Sequence, residues 1–375
     1  MKKIIQILIL FVFTIQGYSQ EYNRWFIKKI NGNLGFIDSL GNEIFFDKFD
    51  LLGEHYYSGL VSFKKQSTSG YLDIYGNVVF TTDDYLGIFS DNLLLVENNG
   101  NFYFLDTLGQ KAIDLVELEI PNGKKIHKMC NFYDDLALVI LQDSYSDNYL
   151  SYGFIDKTGK WFLEPIFQYA TSFVEGVACV LKDDKSHFIN TQGNYIVQLD
   201  KENGEIWNSG DDNLFDFSEG FAVVHFNDSA GFSASFINKN GERISSLLYR
   251  RANKFSDGMA SVLLNDKWGF IDTTGNIVIQ PQYDVCSDFS EGLAPVYLDV
   301  EETGYMFSSH STQGFIDKTG TTVIPFQPHV SYSGFKNGLA KGRRFIYKNK
   351  KYTGKYELFY MNKNGEKIWS EIVKQ

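Results

Sequence analysis

The sequence predicts an all-β protein, a tandem array of about nine antiparallel β-meander units of three to four strands each. Three observations carry that prediction. A short turn pattern returns along nearly the whole chain, a second pattern precedes most copies of the first, and the composition suits strands. Aromatic residues are abundant, with 33 Phe and 23 Tyr, while prolines number only six. Aromatic and β-branched side chains fit a pleated, half-buried surface, and proline cannot donate to a ladder. No convincing helical periodicity interrupts the array.

The first pattern is two apolar residues, Asp or Asn, two variable residues and Gly. Its clearest copies are Gly153-Phe154-Ile155-Asp156-Lys157-Thr158-Gly159, Gly269-Phe270-Ile271-Asp272-Thr273-Thr274-Gly275 and Gly314-Phe315-Ile316-Asp317-Lys318-Thr319-Gly320. Weaker copies end at Gly41, Gly76, Gly109, Gly193, Gly241 and Gly365, so nine glycines span 324 residues in eight steps, a mean period of 40.5. Asp or Asn opening a type I turn accepts hydrogen bonds from nearby backbone, and Gly three residues later tolerates the left-handed conformation. That combination joins two antiparallel strands through a short bulged loop. The first position holds Asp38, Asp73, Asp106, Asp156, Asn190, Asn238, Asp272, Asp317 or Asn362. Free exchange of Asp for Asn means that acceptor geometry is wanted, not charge. Asp156, Gly159, Asp272, Gly275, Asp317 and Gly320 are accordingly read as structural turn residues rather than calcium ligands.

The second pattern is seen in Phe289-Ser290-Glu291-Gly292-Leu293-Ala294-Pro295-Val296, and again at 132–139, 173–180, 217–224 and 255–262. Looser versions begin at Tyr56, Phe89 and Phe335. Each reads as a turn followed by a strand of alternating character. Ala137, Ala178, Ala222, Ala260, Ala294 and Ala340 share one position, which suggests close approach of neighbouring backbones. A third strand follows the turn glycine and is expected to stop near Pro165, Pro281 or Pro325. An isolated meander of this size buries too little to stand alone, so the units must stack.

The segment Lys267-Trp268-Gly269-Phe270-Ile271-Asp272, preceded by Phe255-Ser256-Asp257-Gly258-Met259-Ala260, resembles the signature of WG-repeat proteins. Trp268 and Gly269 carry the resemblance. At the other copies the Trp position holds Leu34, Ser69, Phe102, Tyr152, Ser186, Ala234, Gln313 or Leu358. The resemblance implies a β-repeat scaffold and no particular reaction. A period near 40 with three or four strands suits a propeller blade, and propellers usually have about 4–8 blades. A propeller-like ring is therefore favoured over an open β-solenoid.

Residues 1–19 read as a signal peptide: Lys2 and Lys3 precede an apolar stretch from Ile4 to Ile15, with Gly17 and Ser19 before a cleavage point at Gln20. Residues 20–375 then form the repeat array, and the protein is expected in the periplasm, on the outer surface or secreted. Losing Lys2 and Lys3 takes the formal charge from −11 to −13. An acidic chain repels phosphate backbones, so no nucleic-acid partner is expected. No later apolar run approaches the roughly 20 residues of a membrane span. Three scattered cysteines, Cys130, Cys179 and Cys286, are not a disulfide framework.

No catalytic constellation appears. The six histidines lack metal-ligand spacing, and no nucleophile elbow, phosphate-binding loop or zinc-protease motif is present. Glu175, Glu219, Asp257 and Glu291 recur inside the second turn and read as turn residues. No catalytic residue, metal or cofactor is assigned. Connection length gives a better lead. Between the second-pattern strand and the next, four units use seven residues, whereas Val139–Gly153, Val224–Ser235, Val296–Gly314 and Gly342–Phe359 use 14, 11, 18 and 17. Insertions at one connection of each repeat emerge on one edge, where binding faces often lie. They carry the candidate binding residues Tyr145, Tyr149, Tyr305, Phe307, Arg343 and Arg344, of types common at interfaces. The expected function is a non-enzymatic scaffold of the cell envelope or exterior that binds protein or glycan through this rim. The alternatives are a glycan-active hydrolase or lyase with a site assembled from several repeats, and a structural envelope spacer.

Overall fold

A computed structural model describes residues 24–374 apart from 31–32, 39, 47–48, 54–55, 83–86, 145–149, 199–216, 229–230, 299–311 and 350. The signal-peptide segment and four candidate residues, Tyr145, Tyr149, Tyr305 and Phe307, lie outside the described residues. The described chain contains only strands and turns, arranged in nine separate antiparallel sheets. In chain order these are sheet 1 (24–46), sheet 2 (51–82), sheet 3 (89–114), sheet 4 (124–167), sheet 5 (169–198), sheet 6 (221–238), sheet 7 (251–283), sheet 8 (285–328) and sheet 9 (330–374). Seven are complete four-stranded meanders; sheet 1 has three strands, and sheet 6 has two among the described residues. The chain divides into two compact units, 1–118 with sheets 1 to 3 and 119–375 with sheets 4 to 9.

The sheets are blades of the β-propeller type, as the repeat predicts. Within each unit, successive meanders pack face against face instead of hydrogen-bonding into one continuous sheet, as a solenoid would require. Sheet 5 shows the plan: a two-residue strand Tyr169–Ala170, then Val177–Lys182, Lys185–Asn190 and Tyr195–Gln198, each paired with the next.

All nine hallmark turns close as the spacing requires. In each, the Asp or Asn side chain accepts the amides two and four residues on; Asp317 takes Thr319 at 2.9 Å and Thr321 at 3.0 Å. The Asn copies do the same, Asn362 accepting Asn364 and Glu366 at 3.0 Å. Gly275 and Gly320 sit at φ +82° and +84°, the conformation only glycine adopts cheaply. A Cβ on Gly275 would also lie 2.5 Å from the carbonyl oxygen of Ile244 in the preceding repeat.

The glycine beside Trp268 serves a different purpose. Gly269 sits at a register shift between the strands Lys267–Asp272 and Ile277–Tyr283, and a Cβ there would lie 2.5 Å from the Ile279 carbonyl oxygen and 2.7 Å from the Pro281 nitrogen. Gly153 and Gly314 are pinched in the same way against the carbonyl oxygens of Leu163 and Ile324. The strands run past Pro165, Pro281 and Pro325 instead of stopping there, reaching Phe167, Tyr283 and Pro328. Each belongs to the last strand of its meander, an edge, where a missing donor removes no ladder bond.

One aromatic pair recurs at every step from sheet 4 to sheet 9. The Phe before the hallmark Asp meets the Phe opening the next second-pattern turn: Phe154 with Phe173, Phe188 with Phe217, Phe236 with Phe255, Phe270 with Phe289 and Phe315 with Phe335, at centroid distances of 4.8–5.0 Å. In the first unit Phe36–Tyr56 and Tyr71–Phe89 repeat the arrangement at 5.0 and 5.1 Å. In sheets 4 to 8 the strand after the turn is buried on both faces, which corrects the expected alternation there, whereas Val61–Lys65 and the start of Ala340–Lys348 alternate as expected. In Val177–Lys182, Val177 and Cys179 pack toward sheet 6, and Ala178 and Val180 toward sheet 4. Two buried faces demand a continuous apolar run. The three cysteines are free thiols, and burial pushes Cys286 up to about 12 and Cys179 higher still, so they behave as small hydrophobes.

Two outcomes follow for denaturant unfolding of the full chain. Phe289→Ala should cost about 3–5 kcal/mol, because its ring is fully buried against Phe270. Gly269→Ala should cost about 1–3 kcal/mol by overpacking, although its φ is ordinary. Wild-type midpoints for both variants would refute this account of the sheet-to-sheet contact.

Candidate functional site

The acidic residues of the second turn are the first place to look for chemistry, because they recur at one end of successive sheets. Each turn is a tight two-residue hairpin with both central residues at positive φ: Glu175–Gly176, Glu219–Gly220, Asp257–Gly258 and Glu291–Gly292. Positive φ is uncommon for a residue such as Glu and is retained where surroundings over-determine it. The surroundings here are the next sheet. Asp134 accepts the Gly176 amide at 2.7 Å, Glu175 the Glu219 and Gly220 amides at 2.6 and 2.8 Å, and Glu219 the Gly258 amide at 2.8 Å. Asp257 accepts Gly292, and Glu291 accepts Gly338 at 2.9 Å. Lysines following the hallmark Asp or Asn reinforce three steps: Lys239 to Glu175, Lys318 to Asp257 at 2.8 Å and Lys363 to Glu291 at 3.1 Å. The sequence reading took these carboxylates as capping their own turns. The structure shows them clasping the turn of the following sheet, a link between residues 35 to 47 positions apart in the chain that no local pattern displays.

These carboxylates are engaged, not poised. Burial pushes Asp257 up, but hydrogen bonds from Lys318 and the Gly292 amide, with the charges of Lys318 and Lys363, outweigh it and hold the carboxyl below its ordinary 3.8. Among the described residues no group of three or more His, Cys, Asp or Glu is placed to hold a metal ion.

The four long connections all join the second and third strands of the full meander. In sheet 9 the insertion is no loop but an extension of two strands, Ala340–Lys348 and Lys351–Met361, turning at Asn349 with φ +49°. The pair Arg343 and Arg344 is split by strand alternation. Arg344 joins the packed face, where it donates to Gln327 at 2.5 Å, pairs with Glu357 at 3.9 Å and lies 5.8 Å from the Phe359 centroid. Arg343 takes the other face, opposite Leu358 and Ser331, with its guanidinium 5.7 Å from the Tyr356 centroid. It forms no ion pair among the described residues.

Around Arg343 lies a groove of about 500 Å³ lined by Ser331, Tyr332, Ser333, Lys341, Arg343, Phe345 and Tyr356. Phe345 lies tilted beside Tyr356 at 6.4 Å and edge-on to Tyr352 at 5.8 Å, giving one aromatic wall. The serines and the two cations give the other. Lys341, Phe345 and Tyr356 escaped the sequence reading, though Lys341, Arg343 and Phe345 stand at spacing two and so share a face by periodicity alone. Of the two candidate binding residues among the described ones, Arg343 lines this groove and Arg344 does not.

The WG containing repeat family matches the chain at residues 152–185, 235–268 and 268–299, so three of the repeats are WG repeats. No curated protein sequence matches the chain. Among solved structures, a eukaryotic initiation factor is similar at a TM-score of 0.47 and 14% identity, over 94% of this chain and 84% of that one. AztD from Citrobacter koseri is similar at 0.33 and 11%, over 92% of each chain. Hsv2p from Kluyveromyces lactis is similar at 0.34 and 8%, over 78% of this chain and 93% of that one.

The clasp sets an acid limit on the fold. The folded value of Asp257 lies below its unfolded value near 3.8. Its stabilising contribution is therefore complete above about pH 4 and is lost as pH falls through the folded value. Asp257→Asn should lower stability at pH 7 and flatten the loss between about pH 4 and pH 2. Thermal melts of the two proteins across that range, with an unchanged slope in the variant, would show that the clasp is not the acid-sensitive element.

Proposed function

We propose that this chain is an exported, non-enzymatic binding scaffold whose contact face is the groove of sheet 9 around Arg343. One observation carries the reading: on an acidic chain, the Arg343 guanidinium stands without a carboxylate partner among the described residues, over an aromatic ring in an open groove. Arginine and tyrosine in that arrangement are typical anchors of recognition, combining a planar fork of donors with a rigid apolar face. The ligand is an anionic group on a protein or glycan of the cell envelope or exterior. Export rests on the basic and apolar pattern of residues 1–19. The repeated carboxylates that a glycan-active enzyme would use are committed to the neighbouring sheets, which favours the binding reading over that alternative.

The test is a pull-down from envelope extract and culture medium with the full mature chain beside Arg343→Gln and Tyr356→Ala. A partner held by wild type should bind each variant roughly tenfold more weakly or worse, about 1.4 kcal/mol. A partner retained equally by all three proteins would remove the groove from the contact face. No partner under any condition would favour a spacer.

A further inference from the structure

A second groove lies on sheet 5 and differs in its chemistry from that of sheet 9. It encloses about 520 Å³ and is lined by Lys182, Asp183, Lys185, His187, Tyr195, Ile196, Val197 and Gln198. Register places the polar members together. Lys182 stands directly opposite Lys185, Val180 opposite His187, and His187 opposite Gln198, while Tyr195 pairs with Ile189. Opposed residues share a face of an antiparallel sheet, so Lys182, Lys185, His187, Gln198 and Tyr195 all lie on one side. The inner half of that side, Val180 and Ile189, packs toward sheet 4. The outer half carries the groove.

Two features of this set call for a ligand. Lys182 and Lys185 form a like-charge pair across the two-residue turn Asp183–Asp184, an arrangement that destabilises a hairpin. The three other units with a seven-residue connection avoid it, placing Lys65 opposite Thr68, Asn98 opposite Asn101 and Leu264 opposite Lys267; the lengthened hairpin of sheet 9 repeats it, with Lys348 opposite Lys351. Neither lysine makes an ion pair or hydrogen bond among the described residues, whereas Lys267, at the site matching Lys185, is paired with Asp284. Asp184 is taken up by Gln168, which it meets in two hydrogen bonds of 2.9 Å. Among the described residues that line the groove, Asp183 is the only carboxylate beside the two lysines, which leaves this lining net positive. Burial and then the charges of Lys185 and Lys182 hold His187 below its ordinary value, with Asp183 offsetting part of this.

The second feature is an exposed aromatic platform. Tyr195 is 49% exposed and Ile196 38% exposed, and the His187 ring meets Tyr195 edge-on with centroids 4.9 Å apart. A ring held upright at the edge of a sheet presents a flat apolar face. A sugar ring has an apolar face of its own, while an inorganic anion has none.

We infer that the sheet 5 groove binds an acidic saccharide, with its carboxylate between Lys182 and Lys185 and its ring against Tyr195. His187 and Gln198 lie within the same face to hydrogen-bond the hydroxyls. This site is independent of the sheet 9 groove and would stand if that one failed.

Isothermal titration of the full mature chain with digalacturonate tests it, with cellobiose and inorganic phosphate as companion probes. Digalacturonate should bind at sub-millimolar to millimolar concentration, more weakly as salt rises, and cellobiose should not bind measurably. Lys182→Gln/Lys185→Gln and Tyr195→Leu should each weaken binding at least tenfold. The unliganded double lysine variant should also melt no lower than wild type, because a repulsion has been removed; this reports folding of the variant independently of binding. Absence of digalacturonate binding, or binding undiminished in both variants, would overturn the assignment. Inorganic phosphate competing as tightly as digalacturonate, with Tyr195→Leu without effect, would reduce the site to a plain anion site and equally overturn it.

Discussion

One aromatic pair at each sheet-to-sheet step within the two units is the interaction on which the rest of this structure depends. Its two rings come from the two recurring patterns, so each repeat supplies one ring to the sheet before it and one to the sheet after. A four-stranded meander of some 30 residues cannot bury enough surface alone. The edge-to-face pairs at 4.8–5.1 Å bring the needed burial together at the point where the sheets approach most closely. The apolar runs of the second-pattern strands then follow, since a strand gripped between two neighbours has no solvent face to keep polar.

The carboxylate clasps complete the same step from the polar side. A tight turn with two left-handed residues leaves its second amide pointing outward, and a glycine amide left unpaired next to a buried core would be costly. The acidic residue of the preceding sheet supplies the acceptor. Glu175 and Glu219 accept the strained conformation that this demands because the hydrogen bond crosses to another sheet and closes on backbone. Stability is thus distributed over many equal links, with no metal and no disulfide among the described residues to concentrate it.

Departures from the repeat mark the two grooves. In sheet 9 the hairpin is lengthened and its outer face carries Lys341, Arg343, Phe345 and Tyr356 where a repeat of ordinary length would already have turned. In sheet 5 the length is ordinary, but the turn opposes two lysines where the turns on the other ordinary-length connections, in sheets 2, 3 and 7, set Lys65 opposite Thr68, Asn98 opposite Asn101 and Leu264 opposite Lys267. Both are local violations of rules obeyed elsewhere in the same chain, which serves as its own control.

The sequence by itself determined the strands, the nine turns and the repeat. Asp272, Gly275 and their counterparts act through atoms two to four residues away, and such interactions are written in local spacing. Candidate residues were legible only in part: Arg343 stood out as part of a basic run, but its separation from Arg344 followed from strand alternation inside an insertion that had read as a loop. Tertiary structure alone decided that Glu219 serves Gly258, that Gly269 yields space to Pro281, and that Tyr195 shares a face with Lys182. Those relations join residues brought together by register and stacking, and no single segment of chain contains both partners.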